Sequence, residues 1–174
     1  MRAHVFLLAG TLALAACDRE PPEPVAPDPE AVLTVTPEGI DGPDFAALEF
    51  GVRRGTVIQR VGELFDAEPQ ETSNSECGVG PMDFADFDGL VLNFQDDEFV
   101  GWFLRGREGV AAPGGIAIDA PLSAVTEEES VKLEGSTLDG EFTYTLPQGS
   151  DLGGFTDPQG RVEALYAGTN CFFR

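Results

Sequence analysis

Two periods of apolar residues take turns along this chain. From Arg54 to Phe65, the residues Val57, Ile58, Val61, Leu64 and Phe65 recur at i, i+1, i+4, i+7 and i+8. That spacing places them on one face of a helix over about Arg54 to Phe65. Leu90, Leu92 and Phe94 instead alternate with Val91, Asn93 and Gln95, and after Asp96-Asp97 the chain resumes as Phe99-Val100-Gly101-Trp102-Phe103-Leu104. This predicts a β-hairpin with an acidic tip. Phe142, Tyr144 and Leu146 alternate with Glu141, Thr143 and Thr145, and two turn segments follow, Pro147-Gln148-Gly149-Ser150 and Asp157-Pro158-Gln159-Gly160. The second turn separates Phe155 from the run Val162-Glu163-Ala164-Leu165-Tyr166.

A weak internal repeat overlays these elements. Phe50 and Ile118 each close a short alternating segment, Leu48-Glu49-Phe50-Gly51 and Gly115-Ile116-Ala117-Ile118, and each lies seven positions before a valine, Val57 or Val125. The second copy has Asp119 as a candidate N-cap and Pro121 in the first turn of a short helix that dissolves into Glu127-Glu128-Glu129. A helix followed by antiparallel strands, twice, predicts an α+β architecture with helices packed on a sheet. The two repeats span about 45–108 and 113–174, inside a globular domain of 31–174.

The N-terminus has a different pattern. One positive charge, Arg2, precedes an apolar run from Val5 to Leu14, and Leu14-Ala15-Ala16-Cys17 follows. This is the anatomy of a secretory signal over 1–16 with small residues at the cleavage site. The motif resembles a bacterial lipobox. The resemblance implies cleavage before Cys17 and acylation of its thiol and new amine, and two or more acyl chains give stable anchoring where one gives reversible binding. Asp18 resembles the inner-membrane retention signal of enteric bacteria, so the lean is to the inner membrane, with inner versus outer left open. From Asp18 to Glu30 five prolines alternate with acidic residues. Residues 17–30 therefore read as the lipidated cysteine and a stiff, extended tether facing the periplasm.

Charge narrows the partners. The chain carries 10 Lys+Arg against 31 Asp+Glu, a formal charge of −21. Such a field repels phosphate backbones and anionic headgroups, which leaves no nucleic-acid partner and membrane contact through the Cys17 anchor alone. With 42% hydrophobic residues and 13 phenylalanines, most of the chain has enough apolar surface to fold. Of three cysteines, lipidation uses Cys17, and Cys77 and Cys171 remain in a compartment that permits disulfides. They are expected to pair. Closing that loop stabilises a fold by roughly 4 to 5 kcal/mol on loop-closure entropy.

The order of these features supports a second resemblance. An apolar–Gly–six–Val segment, a cysteine, a Gly-Leu-x-Leu-x-Phe hairpin with an acidic tip, Gly-Ile-x-Ile at the second copy and a terminal Gly168-Thr169-Asn170-Cys171 follow one another. Together they resemble the tandem helix-plus-sheet proteins: the beta-lactamase-inhibitory protein and the small SmpA/OmlA (BamE-type) outer-membrane-assembly lipoproteins. Where those families often carry Gly-Met-Thr before the first helix, this chain has Gly51-Val52-Arg53. The resemblance implies a protein-binding module with no chemistry of its own, and it fixes no contact residue.

The residues that could carry chemistry are few. The sole histidine, His4, lies in the predicted signal, which removes imidazole from any triad or zinc site of the processed protein. Lys132 stands beside the Glu127–Glu129 run as a surface ion-pair partner, and the glycines form no phosphate loop. Asp83, Asp86 and Asp88 cluster without the spacing of a calcium loop. No cofactor, no metal and no catalytic residue is expected.

Asp96 and Asp97 at the hairpin tip are candidate partner-binding residues. So is Trp102, on the alternation in which Phe99, Gly101 and Phe103 face the core and Val100 and Trp102 face outward; a second layer over that face would make Trp102 core instead. Phe172-Phe173 carry the same two readings. The sequence thus leads to a membrane-anchored periplasmic lipoprotein acting as a non-catalytic protein-binding module, its partner an envelope protein. The alternatives are an inhibitor of a secreted or periplasmic hydrolase that aims Asp96-Asp97 into the enzyme cleft, and a carboxylate-dependent enzyme.

Overall fold

The computed structural model describes residues 32–124, 130–132 and 138–172. The predicted signal, Cys17, Asp18, the tether, Glu127–Glu129 and Phe173 lie outside the described residues. Three short strands come first, β1 (Leu33–Thr36), β2 (Gly39–Gly42) and β3 (Phe45–Glu49), then the helix α1 (Arg54–Phe65). Four more strands follow it: β4 (Gln70–Asn74), β5 (Met82–Asp86), β6 (Leu90–Gln95) and β7 (Glu98–Leu104). The chain continues through β8 (Val110–Ala111), β9 (Ser130–Lys132), β10 (Glu141–Thr145), β11 (Asp151–Thr156) and β12 (Val162–Gly168). They form a small sheet in the order β3-β2-β1-β8 and an eight-stranded sheet in the order β4-β5-β6-β7-β12-β11-β10-β9. Every pair in the long sheet is antiparallel, and β1 with β8 is the parallel pair of the small one.

The architecture is therefore β-dominated, and the expected α+β repeat of helices on a sheet is corrected. Among the described residues there is one α-helix. Its bounds coincide with those read from the apolar periodicity. In the second half, Leu122–Ala124 form a single 3-10 turn, and Asp119 adopts φ 64°, a left-handed turn geometry instead of an N-cap. Gly115-Ile116-Ala117-Ile118 is not a strand either: Pro113–Gly115 form another 3-10 turn, and Ile116 is buried in the core.

Without a hydroxyl cap, α1 takes its start from tertiary contacts. The Arg54 amide donates to the Asp97 carbonyl at 2.9 Å, so the tip of the β6–β7 hairpin satisfies one of the free amides of the first helical turn. At the other end Asp66 is left-handed (φ 48°), and its amide donates to the Gly62 carbonyl.

One core lies between the inner face of the long sheet and a layer formed by α1 and the small sheet. Leu33, Val35 and Ile40 from the small sheet and Val57 and Val61 from α1 pack with Leu90, Leu92, Phe94, Phe99, Trp102 and Leu165 of the long sheet. Trp102 is fully buried, and its indole N–H donates to the Thr36 carbonyl at 2.7 Å. Of the two readings of Trp102, burial in the core holds and the outward, partner-binding one is corrected, and the cause is a β-bulge. Phe94 pairs with Phe99 but Asn93 pairs with Gly101, so Val100 is an extra residue that reverses the alternation beyond it. Phe99, Trp102 and Leu104 share the core face, and Phe103 moves to the outer one.

Candidate docking face

The register of the long sheet assembles an aromatic surface on the face turned away from the core. Val91 pairs with Phe103, Phe103 with Tyr166, Tyr166 with Gly153 and Phe155 with Ala164. Residues paired across neighbouring strands project from the same face, so three strands, β7, β12 and β11, bring Phe103, Tyr166 and Phe155 together. Phe172 completes the group from the segment after β12. Its ring centroid is 4.9 Å from Tyr166, 5.4 Å from Phe155 and 6.0 Å from Phe103, in edge-on geometries. Phe103 and Tyr166 are stacked within 14° of parallel. All four are half-buried. The Tyr166 hydroxyl donates to Glu141 Oε1, which fixes the ring from the β10 side.

Consecutive glycines make room for these rings. A Cβ on Gly153 would come within 2.1 Å of the Tyr166 ring, and one on Gly154 within 2.3 Å of the Phe142 ring on the opposite face. Gly153-Gly154 thus lets one aromatic ring lie flat against each side of β11.

The Cys77–Cys171 disulfide places Phe172. The two residues are joined at a Cα–Cα distance of 5.2 Å, tying the loop between β4 and β5 to the segment after β12. Asn93, buried on β6, donates from its amide nitrogen to Thr169 O at 3.0 Å and to Asn170 Oδ1 at 2.7 Å. The segment from Thr169 to Phe172 is therefore held across the sheet, and Phe172 becomes a ridge between two hollows. One, of about 400 Å³, runs over Thr72, Phe84, Val91 and Arg105 towards the β4 edge. The other, of about 470 Å³, lies beside Tyr166 and the Gly78-Val79 loop, where Val79 is 53% exposed.

The acidic candidates lie elsewhere. Asp96 and Asp97 are exposed at the tip of the β6–β7 hairpin, both left-handed (φ 52° and 67°), at the opposite end of β7 from Phe103. Their turn is anchored through the Asp97 carbonyl to the start of α1. Asp83 pairs with Arg54 at 2.9 Å, and Arg54 also pairs with Glu71. Asp86 accepts from the Gly89 amide at 2.8 Å and from Arg105 at 3.3 Å, which makes it the cap of the Asp88-Gly89 turn between β5 and β6. No group of three His, Cys, Asp or Glu side chains suited to a metal ion occurs among the described residues.

Sequence reasoning missed Phe103, Phe155 and Tyr166 as surface residues. The register that joins them depends on the β7–β12 pairing and on the bulge, neither of which has a local signature. The one signal within reach was Gly153-Gly154 inside a strand, a mark of close approach to a neighbouring group. The chain matches no family model, no curated protein and no solved structure.

Proposed function

We propose that this chain is a membrane-anchored envelope lipoprotein that works as a non-catalytic protein-binding module, with the outer aromatic face of its long sheet as the docking surface. The observation that carries the reading is the half-buried four-ring cluster of Phe103, Phe155 and Tyr166, held by the sheet, with Phe172, held beside them by the Cys77–Cys171 bond. Rigid aromatic rings beside shallow hollows are the usual anchors of protein interfaces, because they bury a large area at little cost in side-chain entropy.

The partner this surface suits is a positively charged polypeptide. The formal charge of −21 attracts a cationic partner over a Debye length and repels an anionic one. Asp151, exposed on the same face of β11 as Phe155, stands beside the rings to meet its charges. Anchoring rests on Leu14-Ala15-Ala16-Cys17. The test is crosslinking in the native envelope, comparing the unaltered chain with Cys17→Ala. A single basic partner captured by the anchored chain and lost with the variant supports the reading, and equal capture by both forms removes the anchor from it.

A further inference from the structure

Away from the docking face, a partly open cavity of about 180 Å³ lies in the layer between the two sheets. Leu104, Val110, Ile116, Ile118 and Leu165 line it, with glycine and alanine between them, and Arg107 is the one charged residue of the lining.

Arg107 is poorly satisfied. Its guanidinium lies 4.4 Å from the centre of the Phe65 ring, and its side chain is 20% exposed. The ion pair with Asp88 is long, 4.0 Å, and the Asp88 side chain is 96% exposed, so solvent screens it. Nε is buried with no hydrogen-bond partner, the one such side-chain atom among the described residues. A buried donor without a partner in the chain is a hydrogen-bonding position that a water or a ligand can fill.

We propose that this cavity binds a small monocarboxylate, its alkyl or phenyl body among Leu104, Val110, Ile116, Ile118 and Leu165 and its carboxylate on the Arg107 guanidinium. The planar fork of arginine suits a carboxylate, to which it can donate two parallel hydrogen bonds. Apolar walls with one oriented charge are the common composition of small-ligand sites. The volume fits an acid of about the size of benzoate, since apolar cavities of roughly 150 Å³ take up benzene.

The test is a titration of the full chain in detergent with benzoate, followed by saturation-transfer NMR. Benzyl alcohol serves as an uncharged probe of the same size. Expected are saturable benzoate binding, tighter than that of benzyl alcohol, and a loss of at least tenfold in Arg107→Met with benzyl alcohol unaffected. Ala112→Leu, which adds bulk at the cavity wall, should abolish binding of both probes and reports on partition into detergent. Benzoate binding that does not saturate, that survives Ala112→Leu, or that equals benzyl alcohol in the unaltered chain overturns the proposal. The last comparison needs no variant, so it decides the matter even where Arg107→Met fails to fold.

Discussion

The ring of Tyr166 lies flat against the backbone of Gly153, its partner across the β11–β12 pair, so closely that a Cβ on Gly153 would come within 2.1 Å of it. The contact sets the height of the aromatic face. Tyr166 reaches Phe172 and Phe155 at 4.9 and 5.6 Å because no side chain separates the ring from the sheet.

Gly153→Ala should therefore destabilise the fold by about 1 to 3 kcal/mol, since the ring must move and give up its contacts with Phe155 and Phe172. Gly55→Ala, in α1 with nothing within 4 Å of the added Cβ, should be neutral or stabilising by up to about 1 kcal/mol. Urea unfolding of the two variants distinguishes them. Equal midpoints would show that Tyr166 does not depend on the glycine.

Trp102→Phe removes the indole donor to the Thr36 carbonyl and part of a fully buried ring. A cost of about 2 to 4 kcal/mol is expected, combining a small cavity with an unpaired carbonyl. Because Trp102 is the one tryptophan in the chain, its emission should be blue-shifted in the native protein and move to longer wavelength on unfolding. Native emission at the fully hydrated position would place the indole outside the core.

Reduction of Cys77–Cys171, or the double serine variant, opens a loop of sequence separation 94. Loop-closure entropy predicts a loss of roughly 4 to 5 kcal/mol, measured as a lower denaturation midpoint in dithiothreitol. The near-ultraviolet circular dichroism of the Phe172 and Tyr166 rings should weaken at the same time, because the bond holds Phe172 on the sheet. An unchanged midpoint would mean that the bond does not restrain the fold.

Association with a basic partner should weaken steeply with salt. Long-range attraction between exposed charges is largely screened once the Debye length falls from about 10 Å at 0.1 M to about 3 Å at 1 M. Binding measured over that range should lose most of its association rate while dissociation changes little, because the contacts at the rings are apolar. A salt-independent association rate would remove charge from the account.

Local pattern carried part of this fold. The helix over Arg54–Phe65 and the hairpin around Asp96-Asp97 follow from periodicity and turn chemistry within a few residues of each other. The first sheet did not. Leu33 and Val35 alternate over a strand of four residues, too short to stand out from the tether before it. β4, Gln-Glu-Thr-Ser-Asn, is almost wholly exposed at the sheet edge and has no apolar pattern to read. Apparent similarity between Phe50–Val57 and Ile118–Val125 suggested a second helix, but Asp119 takes a left-handed turn whose amide bonds to Val162 at 2.8 Å. The aromatic face was the least legible part, since a single bulged residue, Val100, decides whether Trp102 or Phe103 faces out.

The most direct test of the docking face is photocrosslinking from two positions of the anchored chain in its own envelope. One crosslinking amino acid replaces Phe172 on the aromatic face, and the other replaces Glu63, exposed on α1 on the far side of the core. The account predicts one adduct with a basic protein from position 172, absent from position 63 and lost with Phe155→Asp. The same adduct from both positions, or from position 63 alone, would contradict it.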